Sequence, residues 1–250
     1  MLIQYDGTDY HGWQVQPGAI TIQAVLEDSL GRITGQVTTL IVAGRTDAGV
    51  HALGQVAAFS TASPLPATTL MRALNALLPG DIRIMDAVDE KEEFHPRYDA
   101  RGKTYFYLIA LGSTLSPFFE RYAWRLPCPL DTQRMARAAE YLKGTHDFSS
   151  FRASGCGAKS PVRTVSSVSV ERYHSLDFMT AEIRGDFLKV QVEGDAFLRH
   201  MVRAMVGTLV ETGKGKIAPE EVGKILRSRD RNLAGPTAPA KGLFLERVWY

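Results

Sequence analysis

The apolar residues of the first ninety positions change period in an order that few folds accommodate. Leu2–Tyr5 reads as a short strand, and Asp6-Gly7-Thr8-Asp9 behind it has the residue types of a turn. After the Pro17-Gly18 break, Thr21 is an N-cap, and Ile22, Val25, Leu26, Ser29 and Ile33 fall on one helical face. Strands are expected over Val37–Val42 and Gln55–Thr61. Pro64 to Pro66 interrupts the pattern, and Leu70, Ala73, Leu74, Leu77 and Leu78 make a second amphipathic helix. Pro79-Gly80-Asp81 stops that helix before a strand over Ile82–Val88. The order is β-α-β-β-α-β, the split βαβ or ferredoxin-like arrangement.

The rest of the chain runs through that order again with additions. A strand is expected over Lys103–Ala110, a helix over Asp131–Leu142, and strands over Val162–Glu171, Asp177–Arg184 and Phe187–Glu193. A helix over Phe197–Glu211 carries Phe197, Met201, Met205 and Leu209 as its apolar stripe, a short helix has Pro219 in its first turn, and Leu243–Trp249 ends as a strand. No sequence repeat accompanies the two halves, so the duplication rests on the order of elements. The expected fold is α+β: two ferredoxin-like units, residues 1–100 and 101–250, with mainly antiparallel sheets that flank a central cleft, or one continuous sheet spanning both halves, either of which suits folded RNA. With 250 residues, 45% of them apolar, such cores can be filled. No apolar run approaches twenty residues, which excludes a membrane-spanning helix. The opening residues carry neither a basic leader nor an apolar run of signal-peptide length, so a cytoplasmic location is expected. Cys128 and Cys156 lie outside any C-x-x-C spacing and read as reduced structural cysteines.

A net charge of +2, from 29 basic and 27 acidic residues, does not by itself declare a partner. Its distribution says more. Between Phe94 and Arg125, five cationic residues (Arg97, Arg101, Lys103, Arg121 and Arg125) alternate with aromatic ones, a mixture that can pair with phosphates and stack on bases. The same aromatics would equally serve as core. Gly44-Arg45-Thr46-Asp47-Ala48-Gly49-Val50-His51-Ala52 places an acid, a cation, an imidazole and two glycines in one loop. Asp47 offers a nucleophile or general base, and Arg45 a bidentate fork for phosphate or carboxylate. A plain turn, with Asp47 capping a local amide and Arg45 solvated, accounts for the same residues.

GRTDAGVHA at 44–52 resembles the catalytic motif of the tRNA pseudouridine synthase A family, and it does not stand alone. Tyr5-Asp6-Gly7-Thr8-Asp9-Tyr10-His11-Gly12-Trp13-Gln14, Phe94-His95-Pro96-Arg97, Lys103-Thr104-Tyr105-Phe106-Tyr107 and Gly144-Thr145-His146-Asp147-Phe148 are similar to family segments. So are Phe197-Leu198-Arg199-His200-Met201-Val202-Arg203 and Thr237-Ala238-Pro239-Ala240-Lys241-Gly242-Leu243, all in family order. Gly194-Asp195-Ala196 departs from the commoner Gly-Asn lead.

The resemblance implies that Asp47 is the essential aspartate, that Tyr105 stacks on the target base, and that Arg203 is the cation paired with the aspartate. Arg45 would help to extrude the uridine, since a stacked base hides its glycosidic bond. Leu243 would line the uracil pocket, with His95, Arg97 and Arg101 as candidates for phosphate contact. Alternation along the strand puts Tyr105 and Tyr107 on the face towards a site, with Phe106 packed inward, and His51 is read as structural. The substrate implied is uridine at positions 38, 39 and 40 of the tRNA anticodon stem-loop, handled by a homodimer without metal or other cofactor. A non-catalytic RNA-binding module on the same fold is the alternative. A metal-dependent hydrolase using His11, His51, His95, His146 or His200 finds no H-x-x-x-H or H-E-x-x-H spacing to support it.

Overall fold

A computed structural model describes all residues, 1–250, and the chain divides into two compact units. The first comprises Met1–Lys103 together with Phe244–Tyr250, the second Thr104–Leu243.

In the first unit the order is β1 (Leu2–Tyr5), α1 (Ile22–Thr34), β2 (Ile41–Val42), β3 (His51–Ala58), α2 (Ala67–Leu77) and β4 (Ile82–Asp86). The predicted β-α-β-β-α-β order is therefore present. Strand β1 is central between β3 and β4, antiparallel to both, with Leu2 opposite Val56 and Tyr5 opposite Ile82. Helix α1 starts where Thr21 Oγ1 accepts the Ala24 amide at 3.3 Å, and it ends at Gly35, whose φ of 69° closes the last turn. Helices α1 and α2 pack together, burying Ile22, Leu26, Leu30 and Leu74 with Trp13, Ile3 and Ile82.

Two boundaries depart furthest from the sequence expectation, while β3 ends at Ala58 and β4 at Asp86, short of the expected Thr61 and Val88. Only Ile41 and Val42 of the expected 37–42 strand pair with β3, because the Leu40 amide is taken by the Glu27 carboxylate at 2.8 Å and Val37 is fully exposed. Strand β3 starts at His51, four residues ahead of the predicted Gln55, because Ala52 already faces Tyr5 of β1.

In the second unit the elements are β5 (Gly102–Leu111), β6 (Trp124–Leu126), α3 (Thr132–Glu140), β7 (Gly144–Asp147), β8 (Val162–Phe178), β9 (Ala181–Gly194), α4 (Met201–Gly213) and α5 (Pro219–Ser228). The sheet order is β5-β9-β8-β7, with β6 parallel to β5. The three strands expected between 162 and 193 are two. The predicted Asp177–Arg184 segment straddles the tight turn at Met179-Thr180, and Phe178 pairs with Ala181 across it. Phe187 of β9 joins Ala110, Phe119 and Ala123 in a buried cluster beneath this hairpin.

Helix α4 starts at Met201, not Phe197. His200 sits at φ 61°, a left-handed conformation that no α-helix contains, and the Asp195 carboxylate holds the Ala196 and Thr164 amides just ahead of it. The helix is buried on nearly every side and not along one stripe, since α3 packs on it and the 234–238 segment crosses it. That crossing is close: a Cβ on Gly207 would lie 1.7 Å from the Pro236 carbonyl oxygen, so only glycine fits. The Gly235 amide donates to Thr208 Oγ1 at 2.9 Å beside it.

The last strand, β10 (Leu243–Trp249), enters the first unit from Phe244 onward and pairs in parallel with β3, Phe244 opposite His51 and Leu245 opposite Ala52. The Arg101 amide donates to Trp249 O at 2.8 Å, and Tyr250 Oη donates to Pro96 O at 2.8 Å. No helix is long and apolar enough to cross a membrane.

Candidate active site

The 44–52 loop joins β2 to β3, and the segment that follows β1 fixes its backbone. The Trp13 amide donates to Thr46 O at 3.0 Å and the Gly49 amide to Tyr10 O at 3.2 Å, while the Val50 amide donates to Asp47 O at 3.2 Å. Gly12 sits at φ 85°, where a Cβ would lie 2.7 Å from Thr46 O and 3.0 Å from the Ala48 nitrogen. Gly7 is equally constrained: a Cβ there would lie 2.0 Å from Val50 O. The two glycines thus let the 5–13 segment lie directly against the loop that carries Asp47.

Beneath the loop, Tyr5 Oη and Thr46 Oγ1 share a buried hydrogen bond of 2.7 Å. Gln55 Nε2 donates to Gly44 O at 2.8 Å and to Tyr5 Oη at 3.3 Å. Burial outweighs these hydrogen bonds and pushes the Tyr5 phenol up to about 12, so the hydroxyl stays neutral. His51 is buried, as its structural reading requires, and its ring stacks on Phe244 with centroids 4.5 Å apart. Its Nδ1 lies 3.1 Å from the Gly7 amide and 3.0 Å from Asp6 Oδ1. One ring nitrogen serves one partner at a time. Asp6 Oδ1 already accepts from the Thr8 amide and hydroxyl at 3.0 and 2.6 Å, so Nδ1 acts as acceptor for Gly7. Asp47 itself is half-buried and Arg45 is exposed.

His95, Arg97 and Arg101 also belong to the first unit, in the turn that follows β4. His95 Nδ1 accepts the Arg97 amide at 3.1 Å, the Asp99 carboxylate accepts the His95 amide at 2.9 Å, and the Arg97 guanidinium lies over the Tyr98 ring. The imidazole therefore organises the turn, while the Arg97 and Arg101 side chains are exposed.

Tyr105, Arg203 and Leu243 lie in the second unit. Tyr105, on β5, meets Phe197 edge to face with centroids 5.2 Å apart. The strand alternation is as expected, but the burial is reversed. Tyr107 is fully buried and donates to Pro239 O at 2.7 Å, whereas Phe106 is half-exposed beneath Lys189 Nζ, 5.0 Å from its centroid. Arg203, in the first turn of α4, is held through Nε by Ala238 O at 2.8 Å, and the Ala238 amide donates back to Arg203 O at 3.1 Å. Leu243 is buried at the start of β10. Gly242 before it accepts no side chain, because a Cβ would lie 2.6 Å from the Tyr107 ring.

Tyr5, Thr46 and Ala238 fall within segments that resemble the family's and Gln55 lies outside them, but the supporting role of all four was hidden in the sequence, since their partners lie far away along the chain. The nearest clue is the glycine spacing of the 5–13 segment. No group of three or more His, Cys, Asp or Glu side chains is placed to hold a metal ion.

A family model described as tRNA pseudouridine synthase matches residues 1–99 and 138–250. The chain is similar to the tRNA pseudouridine synthase A of Thermoanaerobacter sp. (strain X514), 44% identical over 250 residues that span 100% of this chain and 98% of that protein. It is 46% identical to the Myxococcus xanthus protein of the same name, over 100% of this chain and 91% of that one. The Geotalea uraniireducens (strain Rf4) counterpart is 47% identical over 100% and 98%.

Proposed function

This chain belongs to the tRNA pseudouridine synthase family, and from that premise we propose that it isomerises uridines 38, 39 and 40 of the tRNA anticodon stem-loop, with Asp47 as the catalytic carboxylate. The reaction breaks the bond between ribose C1′ and uracil N1, turns the base, and joins C5 to C1′. The C5 proton leaves and N1 gains one, so nothing is oxidised or reduced. A carboxylate at Asp47 serves attack at C1′, attack on the base and removal of a sugar proton alike, and none of these needs an external electron carrier.

The observation that carries the reading is the support of Asp47. Hydrogen bonds from Trp13 and Gly49 brace the backbone on either side of it, and its own carbonyl accepts the Val50 amide, while the residue stays partly open. A reacting group needs such a fixed position. In this reading Tyr105 stacks on the uracil, Arg203 supplies positive charge, Arg45 extrudes the base and Leu243 lines the uracil pocket. His95, Arg97 and Arg101 contact phosphates, Arg97 and Arg101 directly through exposed guanidiniums. Recognition of several uridines in many tRNAs is served by shape and backbone contacts and not by base edges. The enzyme works as a homodimer in the cytoplasm, where its substrate is; light scattering at working concentration tests the dimer.

Tritium release from tRNA labelled at uridine C5, in EDTA and without added cofactor, tests the chemistry. Wild type is expected to release label, and Asp47→Asn to fall below about one-thousandth of that rate with tRNA affinity held within a few-fold. Binding without release by wild type would make the protein an RNA-binding module. Equal release by both would remove Asp47 from the reaction. Undiminished release from tRNA carrying cytidine at 38, 39 and 40 would move the target elsewhere.

A further inference from the structure

The second unit contains a cavity of about 910 Å³, bounded by residues 149–155, by Arg199 and His200 ahead of α4, and by residues 231–237. Pockets of this size take whole ligands on the scale of a nucleotide. Arg152, Arg199, Arg231 and His200 line it, with Asn232 and Thr237 among the neutral polar groups, and no carboxylate does. In a chain whose net charge is only +2, three guanidiniums around one acid-free cavity are a strong local excess of positive charge.

The three arginines are not equivalent. Arg152 donates to the carbonyls of Cys156 and Ala158. Arg231 donates to Ala234 O, to Gly235 O at 2.9 Å and to Thr237 Oγ1 at 2.9 Å. Both are thereby fixed in position without an ion pair of their own, although the Asp147 carboxylate, paired with Arg229, also acts on Arg152 electrostatically. Arg199 is exposed, and its guanidinium makes no hydrogen bond or ion pair within the protein. Beside it, His200 is held at φ 61°, a conformation that is strained for a non-glycine residue and persists where the surroundings impose it, as at ligand clamps. Two fixed forks and one unengaged fork form a receptor for an anion with several oxygens.

We propose that this cavity is a binding site for the phosphodiester backbone of the tRNA substrate, at nucleotides other than the target uridine. The inference rests on the isomerase reading above and adds to it a contact that the sequence motifs do not assign. The cavity also has a structural link to Arg203: its wall residues Pro236 and Thr237 lead directly into Ala238, whose carbonyl holds the Arg203 guanidinium.

Arg199→Ala is the informative variant, because the Arg199 side chain supports nothing in the fold and its backbone carbonyl, which accepts the Ala153 amide, is kept, whereas the Arg152 and Arg231 side chains hold loop carbonyls. Equilibrium tRNA binding would be measured over a range of salt concentrations, with turnover measured in parallel. Arg199→Ala is expected to weaken binding by about five-fold or more and to flatten the slope of log K against log salt by close to one, with kcat unchanged. Arg199→Lys should retain the slope. Arg137→Ala, which removes the same charge from the exposed face of α3, should leave both affinity and slope near wild type. A wild-type slope in Arg199→Ala, or an equal change in Arg137→Ala, would overturn the site. Failure of the isomerase reading would appear separately, as wild type that binds tRNA but releases no tritium.

Discussion

At Gly12 a single methyl group separates a working loop from a displaced one. The left-handed backbone there costs an alanine about 1–2 kcal/mol, and its Cβ would meet backbone atoms of Thr46, Asp47 and Ala48 and not a side chain that could yield. Gly12→Ala is expected to lower stability by about 1–3 kcal/mol and pseudouridine formation by more than ten-fold, read by thermal denaturation and single-turnover rate. Tyr5 gives a pH signature under the same loop. Its phenol is raised to about 12 in the folded protein, mainly by burial, against about 10 unfolded. The folded state therefore holds the proton more tightly. The resulting stability is complete below pH 10 and is lost as pH rises from there through 12. Tyr5→Phe should cost about 1 kcal/mol at neutral pH and should remove this part of the alkaline loss, as followed by denaturant melts at stepped pH. Asp47 and Arg45 stand out in the sequence as candidates because an acid and a cation share one glycine-containing loop and the resemblance assigns them roles, while His51, read as structural, is buried. The supporting roles of Tyr5, Gln55 and Ala238 were not legible, because a tyrosine, glutamine or alanine is commonplace until its distant partner is known.

Elements with a strong local period were equally legible. Helices α1 and α2 lie where their apolar faces put them, and Thr21 caps α1 as its residue type suggests. The β8–β9 hairpin was harder, because its turn has neither glycine nor asparagine and an irregularity in register falls between Tyr173 and Ser175. Alternation is interrupted at that point, so two long strands read as three. The turn also marks a weak point. Met179 is the first of two turn residues, its φ is 57°, and it is almost entirely exposed. A positive φ at that position is the pattern that favours glycine. Met179→Gly is expected to stabilise the protein by about 1 kcal/mol, raising the melting temperature with no change in turnover. The start of α4 was misread for a different reason: Phe197 continues the apolar spacing, but the backbone at His200 is left-handed, a feature that hydrophobic period does not encode.

For the molecule as a whole, the chain does not finish its first unit until residues 244–250, after the whole of the second. Phe244–Tyr250 adds a parallel strand beside His51 and Ala52, stacks Phe244 on His51, and ties the 95–101 turn through Arg101 and Tyr250. Gly54 is the other half of that junction, since a Cβ there would lie 2.4 Å from Glu246 O. No local pattern in Leu243–Trp249 tells which strand it will join, because parallel pairing across so much intervening chain leaves no periodic trace. Deletion of 244–250 is expected to leave residues 1–103 with markedly faster hydrogen exchange, while the α3–α4 core of the second unit keeps its protection. Unchanged exchange in the 44–58 region would refute that dependence. Because the ribosome delivers residues 1–103 long before 244–250, the segment bearing Asp47 must wait, unfinished, until the whole of the second unit has been synthesised. A nascent chain that ends before Phe244 carries every residue of the arginine-lined cavity, yet lacks the strand that pairs beside His51 and Ala52. Assembly of the first unit is thus coupled in time to synthesis of the second.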